Sequence, residues 1–328
     1  MNWHELSVLV TGGTGSFGRT FVEVVLRELR PKKLIIFSRD ELKQHEMRQQ
    51  FPDTGDSPLR YFLGDVRDRE RLYRAFYGVD VIVHAAALKQ VPACEYNPFE
   101  AILTNVMGAK NVIDAAIDCG VRRVMALSTD KAVNPINLYG ATKLCAEKLF
   151  VDGNQYVGSR ETRFSCARYG NVVASRGSVI PFFLEQRRNG RITVTDPKMT
   201  RFWITLEQGV RFVIHCIERM HGAEIFVPKI PAMSILNLAK ALAPECEVEF
   251  IGVRPGEKIH EVLVSEDEAR YAVEFEDKFV ILPQGIESAA KNWAGGKALA
   301  PGFRYTSDTN PQQMNPEMLG ALRGSPAS

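Results

Sequence analysis

The sequence predicts an α/β protein in which a doubly wound, mostly parallel sheet is joined to a smaller C-terminal lobe. Three observations support this prediction. Short β-branched runs alternate with amphipathic helical stretches through the first half of the chain. A glycine-rich turn joins the first run to the first helical stretch. After about residue 172 the alternation loosens, and helical stretches mix with short strands and with loops that contain Pro and Gly.

The predicted strands are apolar runs, as expected for parallel strands that are buried on both faces. They lie at residues 7–12, 33–38, 59–65, 79–87, 121–129 and 163–171. Helical patterns between them, for example at 17–29 and 97–120, supply the right-handed crossovers that parallel strands need. This succession predicts a Rossmann-type sheet.

The change of pattern divides the chain into three predicted parts. Residues 1–172 form the sheet domain, and residues 173–283 form mainly the second lobe, with helices near 206–220 and 234–243. Residues 222–228 are expected to return to the main sheet. Residues 284–328 are polar and rich in Gly, Pro, Asn and Ser, so a loosely ordered tail is expected.

Composition argues against several classes of protein. The 41 Lys and Arg nearly balance the 39 Asp and Glu, and no block of like charge indicates a nucleic-acid surface. The apolar run at 81–88 is too short to span a membrane, and the N-terminus lacks a signal-peptide pattern. The 6 cysteines form no C-x-x-C pair, so neither a metal site nor a disulfide framework is expected. We therefore expect a cytoplasmic protein with reduced thiols.

Residues 11–18 read TGGTGSFG and place Gly12, Gly15 and Gly18 between a strand and a helix. Glycine permits a tight turn and lets backbone amides approach a pyrophosphate, which then lies at the helix N-terminus. The alternative is a glycine-rich turn that binds nothing. The flanking strand and helix favour a dinucleotide site. That predicted site also includes Thr14, Ser16 and Phe17.

The end of the second strand indicates which dinucleotide is bound. An NAD site would have a carboxylate for the ribose 2′-hydroxyl where Ser38 stands. A hydroxyl followed by Arg39 and Lys43 instead favours a 2′-phosphate, and hence NADP, because Arg offers phosphate a planar fork of donors. Asp40 either faces the ribose or begins the helix at 40–50. In the alternative, Arg39 and Lys43 are solvated charges at a helix start.

Residues after three further strands complete the predicted cofactor site. Asp65 is placed to hydrogen-bond the adenine, with Val66 beside it, although a surface cap would also explain Asp65. Ala85 and Ala86 are small enough to let the cofactor pass, and tight packing explains them almost as well. Val172 is the last member of the predicted set.

Residues 128–143 read STDKAVNPINLYGATK and contain the predicted catalytic groups. Tyr139 and Lys143 are spaced i and i+4, on one helical face. An ammonium beside a phenol lowers a phenol pKa that starts near ~10, which would make Tyr139 a base for an alcohol proton during hydride transfer. Thr129 is expected to hydrogen-bond the reacting hydroxyl or ketone.

Asp130 and Lys131 add an acid and an amine that a simple alcohol oxidation does not need. Once an alcohol becomes a ketone, a base can remove a proton from the neighbouring carbon, and an acid can release a hydroxyl from the next carbon as water. We expect burial and nearby cations such as Lys143 to keep the Lys131 amine neutral part of the time. The alternative is that Asp130 caps the next segment while Lys131 points to solvent.

Several segments together resemble the extended short-chain dehydrogenases: TGGTGSFG, SRDELK, AALKQVPACEYNPFEA, STDKAVNPINLYGATK, RYGNVVASRGSVIPFF and RPGEKIHE. More narrowly, residues 5 to 285 resemble the C5-inverting UDP-N-acetylglucosamine 4,6-dehydratases of the pseudaminic acid pathway. Glucose-type 4,6-dehydratases have Asp-Glu where this chain has Asp130-Lys131, and plain 4-epimerases have neither pair. The Asp-Lys pair is therefore the most discriminating part of the resemblance.

The resemblance implies a role for each catalytic residue. Tyr139, assisted by Lys143 and Thr129, oxidises C4 of the sugar with NADP. Lys131 removes the C5 proton, and Asp130 protonates the departing C6 hydroxyl. Hydride returns to C6 and C5 is reprotonated on the opposite face, which gives UDP-2-acetamido-2,6-dideoxy-β-L-arabino-hex-4-ulose and regenerates NADP.

Substrate contacts follow from the resemblance more loosely, since each residue also reads as a surface charge or a core residue. The set comprises Lys89 near the sugar nucleotide, Asn171 at the phosphates, Arg201, Arg254 and Glu257 at the diphosphate and ribose, and Ser178, Val179 and Thr195 near the uracil. Residues 1–172 would thus bind NADP and carry the catalytic residues, and residues 173–283 would mainly bind the substrate.

The resemblance also implies a biological setting. The product would serve pseudaminic acid synthesis and flagellin glycosylation. Two alternatives stay open: the same first step for N-acetyl-fucosamine or capsule synthesis, and a regulator that binds NADP without turnover. A homo-oligomer, either a dimer or a hexamer, is expected, with helices 97–120 and 139–152 as candidate interfaces whose apolar positions would equally suit the core. No nucleic acid, membrane or metal partner is expected.

Overall fold

The structure is a computed structural model that describes residues 1–173, 179–285 and 287–314. The first half of the chain alternates strands and helices as the sequence predicts. Its elements are β1 (Ser7–Thr11), α1 (Ser16–Val24), β2 (Lys33–Ser38), α2 (Glu41–Gln50), β3 (Leu59–Leu63), α3 (Arg69–Phe76), β4 (Val81–His84), α4 (Val91–Tyr96), α5 (Pro98–Ile102), α6 (Gly108–Asp118), β5 (Arg123–Thr129), α7 (Leu138–Gly153) and β6 (Arg163–Tyr169).

The second half has shorter elements. They are β7 (Asn171–Val172), α8 (Val179–Arg187), β8 (Arg191–Val194), β9 (Thr200–Ile204), α9 (Leu206–Arg219), β10 (Ile225–Pro228), β11 (Ala232–Ser234), α10 (Ile235–Leu242), β12 (Glu247–Phe250), β13 (Val262–Val264), α11 (Glu266–Ala269), β14 (Ala272–Glu274), β15 (Lys278–Ile281), α12 (Glu287–Asn292), β16 (Lys297–Ala298) and β17 (Tyr305–Thr306).

The central sheet confirms the predicted fold class. Among the described residues, ten strands form it in the order β16-β14-β15-β10-β6-β5-β4-β1-β2-β3. Pairing is parallel from β10 to β3, and β15, β14 and β16 add an antiparallel edge. The predicted return of residues 222–228 is confirmed, because β10 pairs with β6. The strand order reverses between β1 and β4, which is where an open α/β sheet has its ligand crevice.

Two predicted helices differ in detail from the sequence pattern. The path predicted at 17–29 is α-helical only to Val24 and continues as a π-helical turn to Leu29, where Arg30 ends it in the left-handed conformation. The path predicted at 97–120 is likewise interrupted by a π-helical turn over Leu103–Met107. A repeating apolar pattern predicts the helical path, but it does not distinguish i→i−4 from i→i−5 hydrogen bonding.

A second hydrophobic cluster lies outside the central sheet. It is built from α8, β8, β9 and α10, with Ile180, Phe183, Trp203 and Leu238 among its buried members. Small sheets accompany it, in the orders β11-β9-β7 and β12-β8. This cluster falls within the predicted second lobe, and the boundaries at residues 172 and 283 stay a prediction.

The expected loosely ordered tail is wrong for residues 287–314. Trp293 is buried, packs edge-on against Phe226 with ring centroids 5.5 Å apart and donates to Glu224. Tyr305 is also buried, and its hydroxyl donates to the Ile230 carbonyl at 3.0 Å. β16 and β17 extend the sheets by pairing with β14 and β13. The average polarity of the segment concealed these few aromatic anchors, and residues 315–328 lie outside the described part.

The described ranges contain neither a helix able to span a membrane nor a cluster of metal ligands. Within them, no helix combines the length and the apolarity that crossing a bilayer requires. In the same ranges, no group of three or more His, Cys, Asp and Glu side chains is arranged to hold a metal ion.

Candidate active site

A cleft of about 880 Å³ lies at the carboxyl ends of the parallel strands. Every residue predicted to bind the cofactor lines it. From the turn after β1 these are Gly12, Thr14, Gly15, Ser16, Phe17 and Gly18; from later segments they are Ser38, Arg39, Asp40, Lys43, Asp65, Val66, Ala85, Ala86, Tyr139, Lys143 and Val172. The strand ends therefore bring together residues that lie more than a hundred positions apart in the chain.

The glycine turn has the shape that a pyrophosphate requires. Gly12 has φ +65°, and a Cβ there would lie 2.9 Å from the backbone of Ala86. A Cβ on Gly18 would lie 2.4 Å from the Gly13 carbonyl, so α1 packs directly on the turn. A Cβ on Gly15 would have the Gly12 carbonyl as its one neighbour within 4 Å, at 3.2 Å. The residues present thus fit a dinucleotide phosphate held by the first amides of α1.

The end of β2 resolves the position of Asp40. Its carboxylate caps α2 by accepting from the Lys43 backbone N–H at 3.0 Å, and it pairs with the Lys43 ammonium at 2.7 Å. Asp40 therefore begins the helix, which is one of the two predicted possibilities. Ser38 is buried, and its hydroxyl lies 2.8 Å from that of Thr14. Arg39 is exposed at the cleft and lies 3.6 Å from Asp65.

Asp65 lines the cleft and is held mainly by its own turn. Its carboxylate accepts from the Arg67 backbone N–H at 3.0 Å and from the Arg67 guanidinium at 2.8 Å and 3.0 Å. The cap that was the alternative explanation is therefore present. A contact between Asp65 and adenine stays a prediction.

Thr129, Asp130 and Lys131 follow β5 and form one hydrogen-bonded cluster. The Thr129 hydroxyl donates to Asp130 Oδ1 at 2.9 Å, and the Lys131 ammonium donates to the same oxygen at 3.0 Å. Thr129, rather than Asp130, caps the short 3-10 helix that follows, because its hydroxyl accepts from the Lys131 backbone N–H at 3.3 Å. Thr129 and Lys131 line the cleft, whereas Asp130 lies behind them with no solvent exposure.

The charge on Lys131 contradicts the expectation from the sequence. Burial alone would lower the pKa of Lys131, but the carboxylates of Asp130 and Glu261 outweigh burial and hold that pKa above its usual range. Glu261 Oε1 lies 3.2 Å from the Lys131 nitrogen. Lys131 is therefore an ammonium between two buried carboxylates in the ligand-free chain.

Tyr139 is brought to this cluster by the start of α7. Asn137 caps the helix by accepting from the Gly140 N–H at 2.8 Å. A Cβ on Gly140 would lie 2.2 Å from the Lys131 carbonyl, so only glycine lets the helix approach this closely. The close packing places Tyr139 within hydrogen-bonding reach of Thr129.

The expectation that Lys143 lowers the pKa of Tyr139 is wrong for the ligand-free chain. Burial raises the pKa of Tyr139 to about 12, and the Lys131 ammonium and the hydrogen bond with Thr129 offset only part of that rise. Lys143 donates to the Leu127 carbonyl at 2.7 Å, and burial lowers the pKa of its own ammonium. The i, i+4 spacing places two side chains on one helical face but does not decide which partner each one takes.

The predicted substrate residues divide into two groups. Lys89, Asn171 and Glu257 line the cleft. Four others are not among its lining residues: Val179, Thr195, Arg201 and Arg254. Ser178 lies outside the described residues.

Arg201 was predicted to contact the substrate, but its guanidinium is hydrogen-bonded within the chain. Its side chain is buried, and its guanidinium donates to the carbonyls of Thr200 at 2.7 Å, Lys258 at 2.9 Å and Ile259 at 3.1 Å. These donors are therefore used within the chain, and contact with a diphosphate stays a prediction.

Buried polar atoms without a hydrogen-bond partner cluster at the cleft. Within the described ranges they include atoms of Thr104, Ser128, Asn171 and Glu257, which line the cleft, and of Asp130 and Glu261, which flank Lys131. Buried polar groups are otherwise almost always paired, so these atoms mark where a ligand would supply partners.

Glu261 lies beside the catalytic cluster and was not predicted from the sequence. It is the last residue of RPGEKIHE, a segment that carried part of the resemblance, but no spacing rule connects it to Lys131. The two residues meet only because the chain folds back before β13.

Comparison with known proteins places the chain among enzymes of sugar-nucleotide chemistry. The polysaccharide biosynthesis protein family matches residues 8–283. A UDP-N-acetylglucosamine 4,6-dehydratase (inverting) of Campylobacter jejuni subsp. jejuni serotype O:23/36 (strain 81-176) is 52% identical over 318 residues, which are 93% of each chain. A UDP-glucose 4-epimerase of Rickettsia massiliae (strain Mtu5) is 44% identical over 97% of this chain and 95% of its own.

A solved structure extends the similarity over the whole fold. The X-ray structure of Pen from Bacillus thuringiensis is 39% identical, covers 98% of both chains and superposes with a TM-score of 0.88. The resemblance carried by the motifs is thereby confirmed, and the chain belongs to the polysaccharide biosynthesis protein family.

Proposed function

We propose that this protein is an inverting UDP-N-acetylglucosamine 4,6-dehydratase that uses NADP. The observation that carries the proposal is that Thr129, Lys131 and Tyr139 line the cleft with Asp130 directly behind them, because this cluster adds an extra acid and an extra amine to an alcohol-oxidising group. The 52% identity with the inverting dehydratase of Campylobacter jejuni supports the same chemistry.

The side chains of the cluster match the proton transfers of this reaction. A dinucleotide held in the cleft would accept the hydride from C4 and would later return the same hydride to C6. Tyr139 takes the proton of the C4 hydroxyl, which leaves a ketone at C4. Lys131 takes the acidified C5 proton, and Asp130 gives a proton to the C6 hydroxyl, which departs as water. A proton returned to the opposite face of C5 inverts that centre, so the sugar loses one water overall.

Asp130 and Lys131 reach the required protonation states by sharing one proton. The Lys131 nitrogen donates to Asp130 Oδ1 at 3.0 Å. Moving one proton along that bond converts the pair into a carboxylic acid and a neutral amine, which are the forms that the two roles need. Burial opposes the two charges, although the carboxylates of Asp130 and Glu261 together outweigh its effect on the pKa of Lys131.

The choice of NADP rests on the end of β2. The Asp40 carboxylate is used in capping α2 and in pairing with Lys43, so it is a poor acceptor for a ribose 2′-hydroxyl. Arg39 lies exposed at the cleft, where its guanidinium suits a 2′-phosphate. The buried hydroxyl of Ser38 adds no negative charge to oppose that phosphate.

Epimerisation at C4 is a second candidate function, favoured by the 44% identity with a UDP-glucose 4-epimerase. An epimerase also needs a Tyr-Lys pair and a bound dinucleotide, but it removes no water. Mass spectrometry of UDP-N-acetylglucosamine incubated with the purified protein and NADP separates the candidates. A product lighter by one water supports the dehydratase, an isomer of unchanged mass supports the epimerase, and unchanged substrate supports a regulator that does not turn over.

The proposal extends to the setting of the enzyme. We place the reaction in the cytoplasm as a first step toward pseudaminic acid and flagellin glycosylation, with N-acetyl-fucosamine or capsule synthesis as the alternative destinations. A homo-oligomer is supported by large apolar side chains exposed around α4 to α6: Tyr96, Phe99, Ile102, Leu103 and Met107. Light scattering of the purified protein distinguishes a monomer from a dimer or a hexamer.

A further inference from the structure

Residues 256–261 contact the catalytic segment (residues 129–143), although they lie far from it in sequence. Three contacts join the two segments: Asn137 Nδ2 donates to the Gly256 carbonyl at 2.8 Å, Lys258 Nζ donates to the Val133 carbonyl at 2.5 Å, and Lys131 Nζ lies 3.2 Å from Glu261 Oε1. The contacts run in opposite order along the two segments. Residues 256–261 therefore lie antiparallel beside the catalytic segment, and Glu261 reaches Lys131.

The side chain of Glu261 is buried and surrounded by cations. Glu261 is 1% exposed, and besides Lys131 its carboxylate lies 3.7 Å from Arg201 Nε and 3.8 Å from Lys258 Nζ. Its Oε2 has no hydrogen-bond partner among the described residues. A buried carboxylate in such a place is costly unless its charge is used, and Lys131 is its nearest cation.

The backbone of Glu261 is fixed on both sides by Ser307. The Glu261 N–H donates to the Ser307 hydroxyl at 2.9 Å, and the Ser307 N–H donates to the Glu261 carbonyl at 2.9 Å. The Ser307 hydroxyl also lies 2.7 Å from that of Thr200. The carboxylate is therefore held at Lys131 by a rigid connection that includes the packed C-terminal segment.

We infer that Glu261 is a positioning residue, which holds the Lys131 nitrogen as a second carboxylate beside Asp130 and retains the proton that the Asp130–Lys131 pair shares. This inference rests on the proposed function. When the shared proton lies on Asp130, the Lys131 amine still donates an N–H to Glu261, and this bond limits the directions in which its lone pair can point. A base aimed in this way keeps the approach to C5 that proton transfer needs.

The charge of Glu261 also sets the pH at which the pair loses its shared proton. The charged or titratable groups that act on Lys131 or feel its charge are Asp130, Glu261, Arg201, Lys258 and Tyr139. The two carboxylates raise the pKa of Lys131 above its usual value, against the effect of burial. Removing the Glu261 charge must lower that pKa.

Two substitutions separate charge from reach. Glu261→Gln keeps the length of the side chain but removes its charge. In a plot of kcat for water release against pH, the alkaline limb, where kcat falls as the pH rises, should therefore move about one to three pH units lower. Glu261→Asp keeps the charge but retracts it from Lys131, so kcat should fall about tenfold or more, with KM near the parent value and the limb in place. If the glutamine variant fails to fold, the aspartate variant decides the matter through its kcat and KM.

The matched control is Glu274→Gln. This glutamate of β14 pairs with Lys229 at 2.7 Å, away from the catalytic cluster, so kcat and its alkaline limb should match the parent. A parent enzyme that releases no water overturns the proposed function. A parent that releases water, with both Glu261 variants retaining its limb and its kcat, overturns only the inference about Glu261.

Discussion

Replacing Lys131 with Met tests the catalytic cluster through activity and stability together. Lys131 lies 3.0 Å from Asp130 and 3.2 Å from Glu261, and these carboxylates are 0% and 1% exposed. Met fills a similar volume but leaves both carboxylates without their nearest cation. Reaction in deuterated water should then place no deuterium at C5, although NADP should still bind.

The size of the stability loss follows from the burial of the cluster. Breaking a fully buried ion pair costs about 3–5 kcal/mol, and an exposed pair is worth only about 0–1 kcal/mol. Lys131 is 25% exposed on its side chain, and Arg201 and Lys258 stay near Glu261, so we expect about 2 kcal/mol. For a chain of this size that loss lowers Tm by about 3 °C.

The loss of stability in Lys131→Met should depend on pH in one direction. Unpaired buried carboxylates have raised pKa values in the folded state, so they take up protons on folding when the pH is low enough. The loss of unfolding free energy relative to the parent should therefore be larger at about pH 8 than at about pH 5, where such carboxylates begin to protonate.

The assays are thermal unfolding at both pH values and NMR of the recovered sugar nucleotide. Lys110→Met is the matched control, since Lys110 forms an exposed i,i+4 pair with Asp114 and its loss should change stability by less than about 0.5 kcal/mol. Deuterium incorporation at C5 at the parent rate would refute Lys131 as the base. An unchanged Tm at both pH values would refute the buried ion cluster.

Four further predictions test other parts of the molecule. Arg39→Ala should weaken NADP binding by about 1.5–3 kcal/mol and NAD binding far less, as measured by calorimetry, and an equal loss for both would remove the 2′-phosphate assignment. NADPH absorbance should not accumulate during turnover, and its steady growth would indicate a simple dehydrogenase. Tyr139→Phe should abolish both water loss and C5 exchange, whereas Asp130→Asn should mainly block water loss and leave some C5 exchange visible by NMR; equal behaviour of the two variants would contradict their separate roles. Trp293→Ala should cost about 3–5 kcal/mol of unfolding free energy in denaturant titrations, and a loss below about 1 kcal/mol would contradict the packed C-terminal segment.

The parallel part of the central sheet and the cleft at its strand ends could be predicted from local sequence patterns. Parallel strands buried on both faces leave unbroken apolar runs, which locate β1 to β6 without knowledge of their partners. The turn from Gly12 to Gly18 is likewise a local motif, because its conformational demands fall on neighbouring residues. Since strand ends meet at one edge of such a sheet, locating the strands also placed Thr129 and Tyr139 at the cleft.

Which charges face one another beside that cleft depends on packing between distant segments. The sequence predicts a Lys131 amine that is neutral part of the time, but the carboxylates of Asp130 and Glu261 together raise its pKa. Glu261 lies 130 positions away and reaches Lys131 through a segment whose bracing depends on Ser307, in a stretch whose composition predicted loose order. Periodicity and motif spacing report on neighbours along the chain. Electrostatic contacts depend on distance in space, and that distance is set by packing between elements that no local pattern connects.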